Sequence, residues 1–366
     1  MNDMDVQQAS RFTVTRNSQA VSADQRAVLL DDPGFGRIFT DHMVTIRYTQ
    51  GQGWHSHSVG PREPFLLDPA CAVLHYAQEI FEGMKAYRVA DGSIAMFRPQ
   101  ENARRFAESA ERMAMPALPE DMFMAAVEEL VKIDADWIPQ GDGSLYLRPF
   151  MFASETFLGV RPAAEYIFCV IASPVGAYFK GGKKAVTLWV SEHYTRAARG
   201  GTGAAKCGGN YAASLIAQAE ASEHGCDQVV FLDAAEHRWV EELGGMNVFF
   251  VMADGCIVTP PLSGTILPGI TRDSVITLAR QQGMTVREEP YSFAQWRADA
   301  TSGHLREAFA CGTAAVITAI GTVKSKDGDF TVGNGDGGIV TEGLRATLTG
   351  IQRGTVDGPE GWLLRL

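Results

Sequence analysis

A single lysine stands among small residues in Gly200-Gly201-Thr202-Gly203-Ala204-Ala205-Lys206-Cys207-Gly208-Gly209, just ahead of Asn210 and Tyr211. The stretch joins a strand-like run, Ala185 to Ser191, to a helical one. A lysine amine withdrawn from water sheds its proton and can form a Schiff base. The plainer reading is a solvated lysine on a surface loop, which is the commoner fate of such residues. The spacing from Gly200 to Cys207 also approaches the phosphate loop G-x-x-x-x-G-K-[ST], with two departures. Ala205 replaces the glycine before the lysine, and Cys207 replaces the hydroxyl that would hold magnesium. Each change removes a working part, so a nucleotide hydrolase is rejected.

Other residues could serve an anionic, ring-shaped ligand. In Gly264-Thr265-Ile266-Leu267-Pro268-Gly269-Ile270-Thr271-Arg272-Asp273, proline and glycine lead into a helix expected to be capped by Thr271. Free N–H groups, the helix dipole and a threonine hydroxyl make a phosphate seat there, although a plain capped helix has the same pattern. Cys311-Gly312-Thr313-Ala314-Ala315 offers more donors, or only a tight turn before a strand. Glu241 and Glu242 end another strand, and alternation sends them to opposite faces, so one of them can point inward. A buried carboxylate could hold a protonated pyridine nitrogen; two solvated glutamates are the alternative. Arg104 and Arg105 are either a solvated helix face or an anion clamp. His55 and His57 flank Ser56 with no third ligand at metal spacing, so no metal is assigned.

The elements that must position these residues alternate between α and β. Tyr76 to Arg88 and Ile94 to Phe97 read as strands about an Ala90-Asp91-Gly92 turn. Ala103, Phe106, Ala107, Ala110 and Met113 give the apolar spacing of a buried helix face, and Met122 to Ile133 repeats it. Leu145 to Phe152 and Tyr166 to Ser173 are strands. Asn210 is expected to cap a helix with Leu215, Ile216 and Ala219 on its buried face, ending before Gly225. Val229 to Leu232, Val248 to Met252 and Cys256 to Thr259 are strands, and a helix from Thr271 stops at Gly283. Thr313 to Ile320 reads as a late strand.

At about 100–200 residues per domain, 366 residues imply two domains. Pro174 to Lys184, with three glycines and three lysines, is the natural connection between them. The expected division is an N-terminal arm 1–34, a small domain 35–175, an interdomain loop 176–184, and a large domain 185–366 carrying Lys206. The chain has 32 Lys+Arg against 43 Asp+Glu, a net of −11, the wrong sign for a nucleic-acid partner. No apolar run approaches the ~18 residues of a membrane span. An acidic, polar start lacks the marks of a signal peptide, and Cys71, Cys169, Cys207, Cys226, Cys256 and Cys311 form no C-x-x-C. A reduced, cytoplasmic protein is expected.

Taken in order, these segments resemble the branched-chain amino-acid aminotransferases, pyridoxal-phosphate enzymes of fold type IV. The likeness runs from about Phe35 to the C-terminus. Phe39-Thr40-Asp41-His42-Met43, Phe81-Glu82-Gly83-Met84-Lys85-Ala86-Tyr87-Arg88 and Ser144-Leu145-Tyr146-Leu147-Arg148-Pro149 carry it first. Ser173-Pro174-Val175-Gly176, the lysine loop, Leu267-Pro268-Gly269-Ile270-Thr271-Arg272 and Gly312-Thr313-Ala314 continue it. The resemblance implies a mixed α+β fold of two domains with pyridoxal 5'-phosphate between them. It makes Lys206 the lysine that carries the cofactor as a Schiff base and leaves Lys85 structural. It places Arg105, Ile270, Thr271 and Thr313 on the phosphate, Glu242 rather than Glu241 at the pyridine nitrogen, and Tyr211 near the cofactor hydroxyl. Phe35, Tyr76, Tyr146, Arg148 and Tyr178 match substrate-pocket positions, with the substrate carboxylate on the N–H groups of Thr313 and Ala314. The family is homodimeric, and Leu158 and Val160 match the residues lent to the partner's pocket.

Two places depart from the pattern. Gly245 stands where some relatives have a threonine near the ring, and Ala315 and Thr318 occupy the redox C-x-x-C of mammalian members, so no such thiol switch is expected. The activity implied is reversible amino transfer from L-leucine, L-isoleucine or L-valine to 2-oxoglutarate, giving L-glutamate. D-amino-acid aminotransferase and aminodeoxychorismate lyase share the fold and cofactor, and a non-catalytic metabolite-binding protein would not need Lys206.

Overall fold

The computed structural model describes residues 12–176 and 185–366. Most of the expected interdomain loop, including Tyr178, therefore lies outside the described residues. Among the described residues the strands form two nine-stranded sheets. The first begins with β1 (Thr13–Val14), β2 (His42–Thr49) and β3 (Gly53–Pro61). It continues with β4 (Glu79–Phe81), β5 (Met84–Arg88), β6 (Ile94–Phe97), β7 (Ser144–Ala153) and β8 (Glu165–Val175). The second contains β9 (Ala185–Ser191), β10 (Gln228–Leu232), β11 (Val240–Leu243), β12 (Asn247–Met252) and β13 (Ile257–Thr259). β14 (Val286–Glu288), β15 (Leu305–Gly312), β16 (Val316–Lys324) and β17 (Phe330–Thr331) complete it. The last strand, β18 (Leu363–Arg365), returns to the first sheet and pairs antiparallel with β6.

Helices cover these sheets. They are α1 (Ala23–Asp31), α2 (Ala72–Tyr76), α3 (Pro99–Arg112), α4 (Glu120–Ile133), α5 (Gly208–Glu223), α6 (Ile270–Gln281), α7 (Phe293–Ser302) and α8 (Ile339–Gln352). The phenylalanine triangle Phe106, Phe123 and Phe168, with ring centroids 5.3–5.9 Å apart, locks α3 and α4 onto the first sheet. In the second sheet the run Val248-Phe249-Phe250-Val251 is buried on both faces. Val248 and Phe250 join one core with Trp296 of α7, and Phe249 and Val251 join another with α6 and α8. Such a run has no polar face to show, which is why it reads as continuously apolar.

Several expectations are corrected. Tyr76 ends the short helix α2 instead of opening a strand, because Ala77 takes a left-handed conformation at φ 47°. The cap of α5 is Cys207, not Asn210, which turns inward in the first turn to hold the backbone of Thr202 and Ala205. Leu215 and Ile216 are exposed, and α5 buries its small residues Ser214, Ala217 and Ala221 instead. Gly269, not Thr271, is the N-cap of α6. Residues 313–315 form the turn between β15 and β16, so the late strand starts at Val316. Both ends of the described chain meet the first half of the fold. Residues 12–34 sit against the first sheet through the β1–β3 pairing and the Arg26–Asp136 ion pair, and β18 leaves the second sheet for the first.

Candidate active site

Lys206 lies between β9 and α5, and its backbone is tied down on both sides. Its N–H donates to Ser109 Oγ of α3 at 3.0 Å, and its carbonyl accepts from Phe81 N of β4 at 2.9 Å. The side chain thus starts from a fixed point. Its Nζ donates to the Tyr211 hydroxyl at 2.8 Å and lies 5.0 Å from the centroid of the Phe81 ring. Tyr211 comes from the first turn of α5, five residues on, so one helix start places both groups.

Lys206, Tyr211, Arg196, Glu242, Gly245 and Leu267 line one narrow cleft. Glu242 is 3% exposed while Glu241 points the other way, to accept from Thr265 Oγ1 at 2.6 Å. Glu242 Oε2 accepts from Leu267 N at 3.1 Å and pairs with Arg196 Nη2 at 2.5 Å. Burial pushes the Glu242 carboxyl up; Arg196, the Leu267 N–H and Lys206 pull it back. A Cβ on Gly245 would lie 3.9 Å from the Tyr211 ring, so the missing threonine side chain leaves room.

On the other side of the cleft, α3 turns Asn102, Arg105 and Ser109 inward. Arg105 is 6% exposed and grips Glu82 with two hydrogen bonds, Nε to Oε1 at 2.7 Å and Nη2 to Oε2 at 2.8 Å. Asn102 Nδ2 also donates to Glu82. Burial raises the Glu82 carboxyl, yet Arg105 and these bonds hold it below its ordinary value. Arg105 Nη1 reaches across to the Pro268 carbonyl at 3.0 Å, which sets the guanidinium beside the N-terminus of α6 at Ile270 and Thr271. Arg105, Gly269 and Ile270 line a cleft of about 240 Å³. Gly269 is required there, because a Cβ would overlap Asn247 Oδ1, and Asn247 holds the Leu267 carbonyl.

The Thr313-Ala314 turn is reached by Lys85, whose Nζ donates to the Ala314 carbonyl at 2.9 Å. Burial lowers this amine to about 8, and the charge of Arg353 adds to the effect. Phe35 packs edge-on against Tyr146 with centroids 5.2 Å apart. Tyr146 accepts from Arg148 Nη2 at 3.1 Å, and the guanidinium lies 4.8 Å from the Phe81 ring centroid. Phe35, Tyr146 and Arg148 therefore form a chain of contacts leading through Phe81 to Lys206. Tyr76 does not join it. Its hydroxyl donates to the Leu158 carbonyl, and Tyr76, Leu158 and Val160 form an exposed apolar group at 38%, 62% and 89% exposure.

The donor set suits an aromatic aldehyde bearing a ring nitrogen and a phosphate. One amine sits at a phenol, one buried carboxylate could face a ring nitrogen, and a guanidinium stands beside a helix N-terminus. Glu82 and Arg196 are charged groups of this site that spacing did not single out. Glu82 lies in the Phe81 to Arg88 segment, where nothing in the sequence sets it apart from a solvated carboxylate.

Comparison with known proteins agrees with this chemistry. The profile of a family described as amino-transferase class IV matches residues 79–323. A branched-chain-amino-acid aminotransferase of Mycolicibacterium smegmatis is 55% identical over 360 residues, 97% of this chain and 98% of the relative. A probable branched-chain-amino-acid aminotransferase of Streptomyces coelicolor is 57% identical over 349 residues, 95% of this chain and 96% of the relative. The crystal structure of the Escherichia coli branched-chain amino acid aminotransferase superposes with TM-score 0.71 at 30% identity, covering 87% of this chain and 98% of that one. That of the Thermobaculum terrenum enzyme of the same name, in its PLP form, gives 0.70 at 26% identity, covering 89% of this chain and 98% of that one.

Proposed function

The chain belongs to the class IV amino-transferase family, and from that premise we propose that it is a branched-chain amino-acid aminotransferase using pyridoxal 5'-phosphate. It moves the amino group of L-leucine, L-isoleucine or L-valine to 2-oxoglutarate, and back. The observation that carries the reading is the Lys206–Tyr211 contact at 2.8 Å on the same cleft as the buried Glu242. The substrate class rests on relatives of 54–57% identity that carry that name over nearly the whole chain.

Lys206 Nζ would hold the cofactor covalently, and Arg105, the N–H groups of Ile270 and Thr271 and the Thr313 hydroxyl would hold its phosphate. When bound, the cofactor supplies an electron sink for the bond to the Cα hydrogen. Glu242 would keep a proton on the ring nitrogen, which strengthens that sink. The Lys206 amine would move the proton at Cα, with the Tyr211 hydroxyl orienting it. The N–H groups of Thr313 and Ala314 seat the substrate carboxylate. Phe35 and Tyr146 wall its side chain, and Arg148 receives the second carboxylate of glutamate.

Tyr76, Leu158 and Val160 are the surface through which one copy completes the pocket of another, so the working unit is a homodimer. The exposed apolar group they form supports this, since single soluble chains seldom leave such clusters uncovered. The six cysteines, all free and buried, suit a reducing cytoplasm.

The test is the visible spectrum of protein loaded with pyridoxal phosphate. L-leucine without an oxo acid should bleach the band, and D-leucine should leave it unchanged. A protein that takes up no pyridoxal phosphate, or a band indifferent to L-leucine, rejects the reading.

A further inference from the structure

We propose that Glu79 sets the substrate preference of this pocket by supplying a fixed counter-charge to Arg148. The inference rests on the function proposed above and extends it to how one site takes an apolar and an anionic side chain in turn.

The register of the first sheet sets the two charges on one face, two rows apart, with Phe81 and Phe150 in the row between them. Phe81 pairs with Phe150 and Glu79 with Phe152, so Glu79, Phe81, Tyr146, Arg148 and Phe150 project from one face. Phe81 is the shared floor, with the Arg148 guanidinium 4.8 Å and Lys206 Nζ 5.0 Å from its ring centroid. Arg148 spends one N–H on the Tyr146 hydroxyl, while its buried Nε has no hydrogen-bond partner among the described residues. The half-buried guanidinium makes no other hydrogen bond among the described residues, so a further Nη N–H is left for a ligand.

Glu79 is held in place from the opposite side. Its Oε1 accepts the Gly208 N–H in the first turn of α5, a favoured place for an anion. Gly208 is needed for this approach, because a Cβ there would overlap that oxygen. Burial raises the Glu79 carboxyl, while the Gly208 N–H and the charge of Arg148 draw it back.

An uncompensated guanidinium beside a leucine side chain would be a desolvated cation with nothing to neutralise it. Glu79 provides the balancing charge without taking up Arg148's free donor. A second substrate carboxylate can use that donor, but it approaches Arg148 against the field of Glu79. Ionised Glu79 therefore favours the apolar substrate, and loss of its charge favours the dicarboxylate.

The experiment measures kcat/KM of the loaded holoenzyme for L-leucine and L-glutamate in single half-reactions. Glu79→Gln, which keeps an oxygen for Gly208, should raise the glutamate-to-leucine ratio about tenfold. Glu79→Asp, which keeps the charge, should hold the ratio within about twofold of wild type. In an Arg148→Met background, Glu79→Gln should no longer change the ratio. Equal losses for both substrates in Glu79→Gln would reduce Glu79 to a cap of α5 and overturn the proposal. A ratio change that persists without Arg148, or one shared by Glu79→Asp, would also overturn it. A wild-type holoenzyme inert to both substrates overturns the assigned function and the proposal with it, an outcome separate from an active enzyme whose ratio does not move.

Discussion

Arg196 and Glu242 form a buried ion pair, Nη2 to Oε2 at 2.5 Å, on the cleft that Lys206 lines. Arg196 also donates to the carbonyls of Gly203 and Thr265, so one guanidinium ties the lysine loop, the approach to α6 and the carboxylate together. Breaking such a pair strands a charge away from water, at a cost of about 3–5 kcal/mol. Arg196→Met should lower unfolding stability by that order in urea titration. Arg196→Met combined with Glu242→Leu should recover a large part of the loss, because it leaves no lone charge behind.

Lys206→Ala should separate chemistry from folding. The two bonds that anchor this residue use its backbone, so Ser109 and Phe81 keep their partners in the variant. Leucine half-reaction rates should fall by about 10³-fold or more. The thermal midpoint of apoprotein, followed by circular dichroism, should stay within a few degrees of wild type.

The Lys85 amine gives a pH-dependent stability of defined sign. Its pKa is depressed to about 8 from an ordinary 10.5, so between these values the unfolded chain binds more protons than the folded one. Stability relative to Lys85→Met should therefore rise with pH across that window, by at most about 1.4 kcal/mol per unit, and stay flat below it. Denaturant midpoints of the two proteins at pH 7, 8, 9 and 10 give the comparison. A difference that falls with rising pH would contradict the assignment.

The exposed group around Leu158 should govern association. Sedimentation equilibrium should find wild type as a dimer, and Leu158→Asp should weaken that association by at least about tenfold. Activity per protomer should drop with dilution in the variant before it does in wild type. A Leu158→Asp protein that remains dimeric would move the interface elsewhere.

Much of the site was legible because single residues stood out against their neighbours. Lys206 is the one long polar side chain in a run of glycines and alanines, and strand alternation already sends Glu241 and Glu242 to opposite faces. Gly225 and Gly283 marked helix ends correctly, as both adopt positive φ just beyond α5 and α6. The misses have a common cause in tertiary partnership. Leu215 and Ile216 look like a core face, yet α5 lies close on the second sheet beside Trp189 and Phe231, where alanine and serine fit and leucine does not. Arg196 and Glu82 are ordinary charges in sequence; they matter through Glu242 and Arg105, 46 and 23 positions away. A turn before the late strand is legible at Gly312 to Ala315, but its end is not: the β15–β16 hairpin takes residues 313–315 into the turn, and Val316 enters β16 at φ 61°.

The pairing of β18 with β6 joins Leu363 to Phe97 and Arg365 to Ala95. A ribosome delivers residue 97 long before residue 363. The first sheet must therefore wait with one edge open through translation of the entire second half. It can be sealed only once β18 has been made, so a part of the protein synthesised early is among the last to be finished.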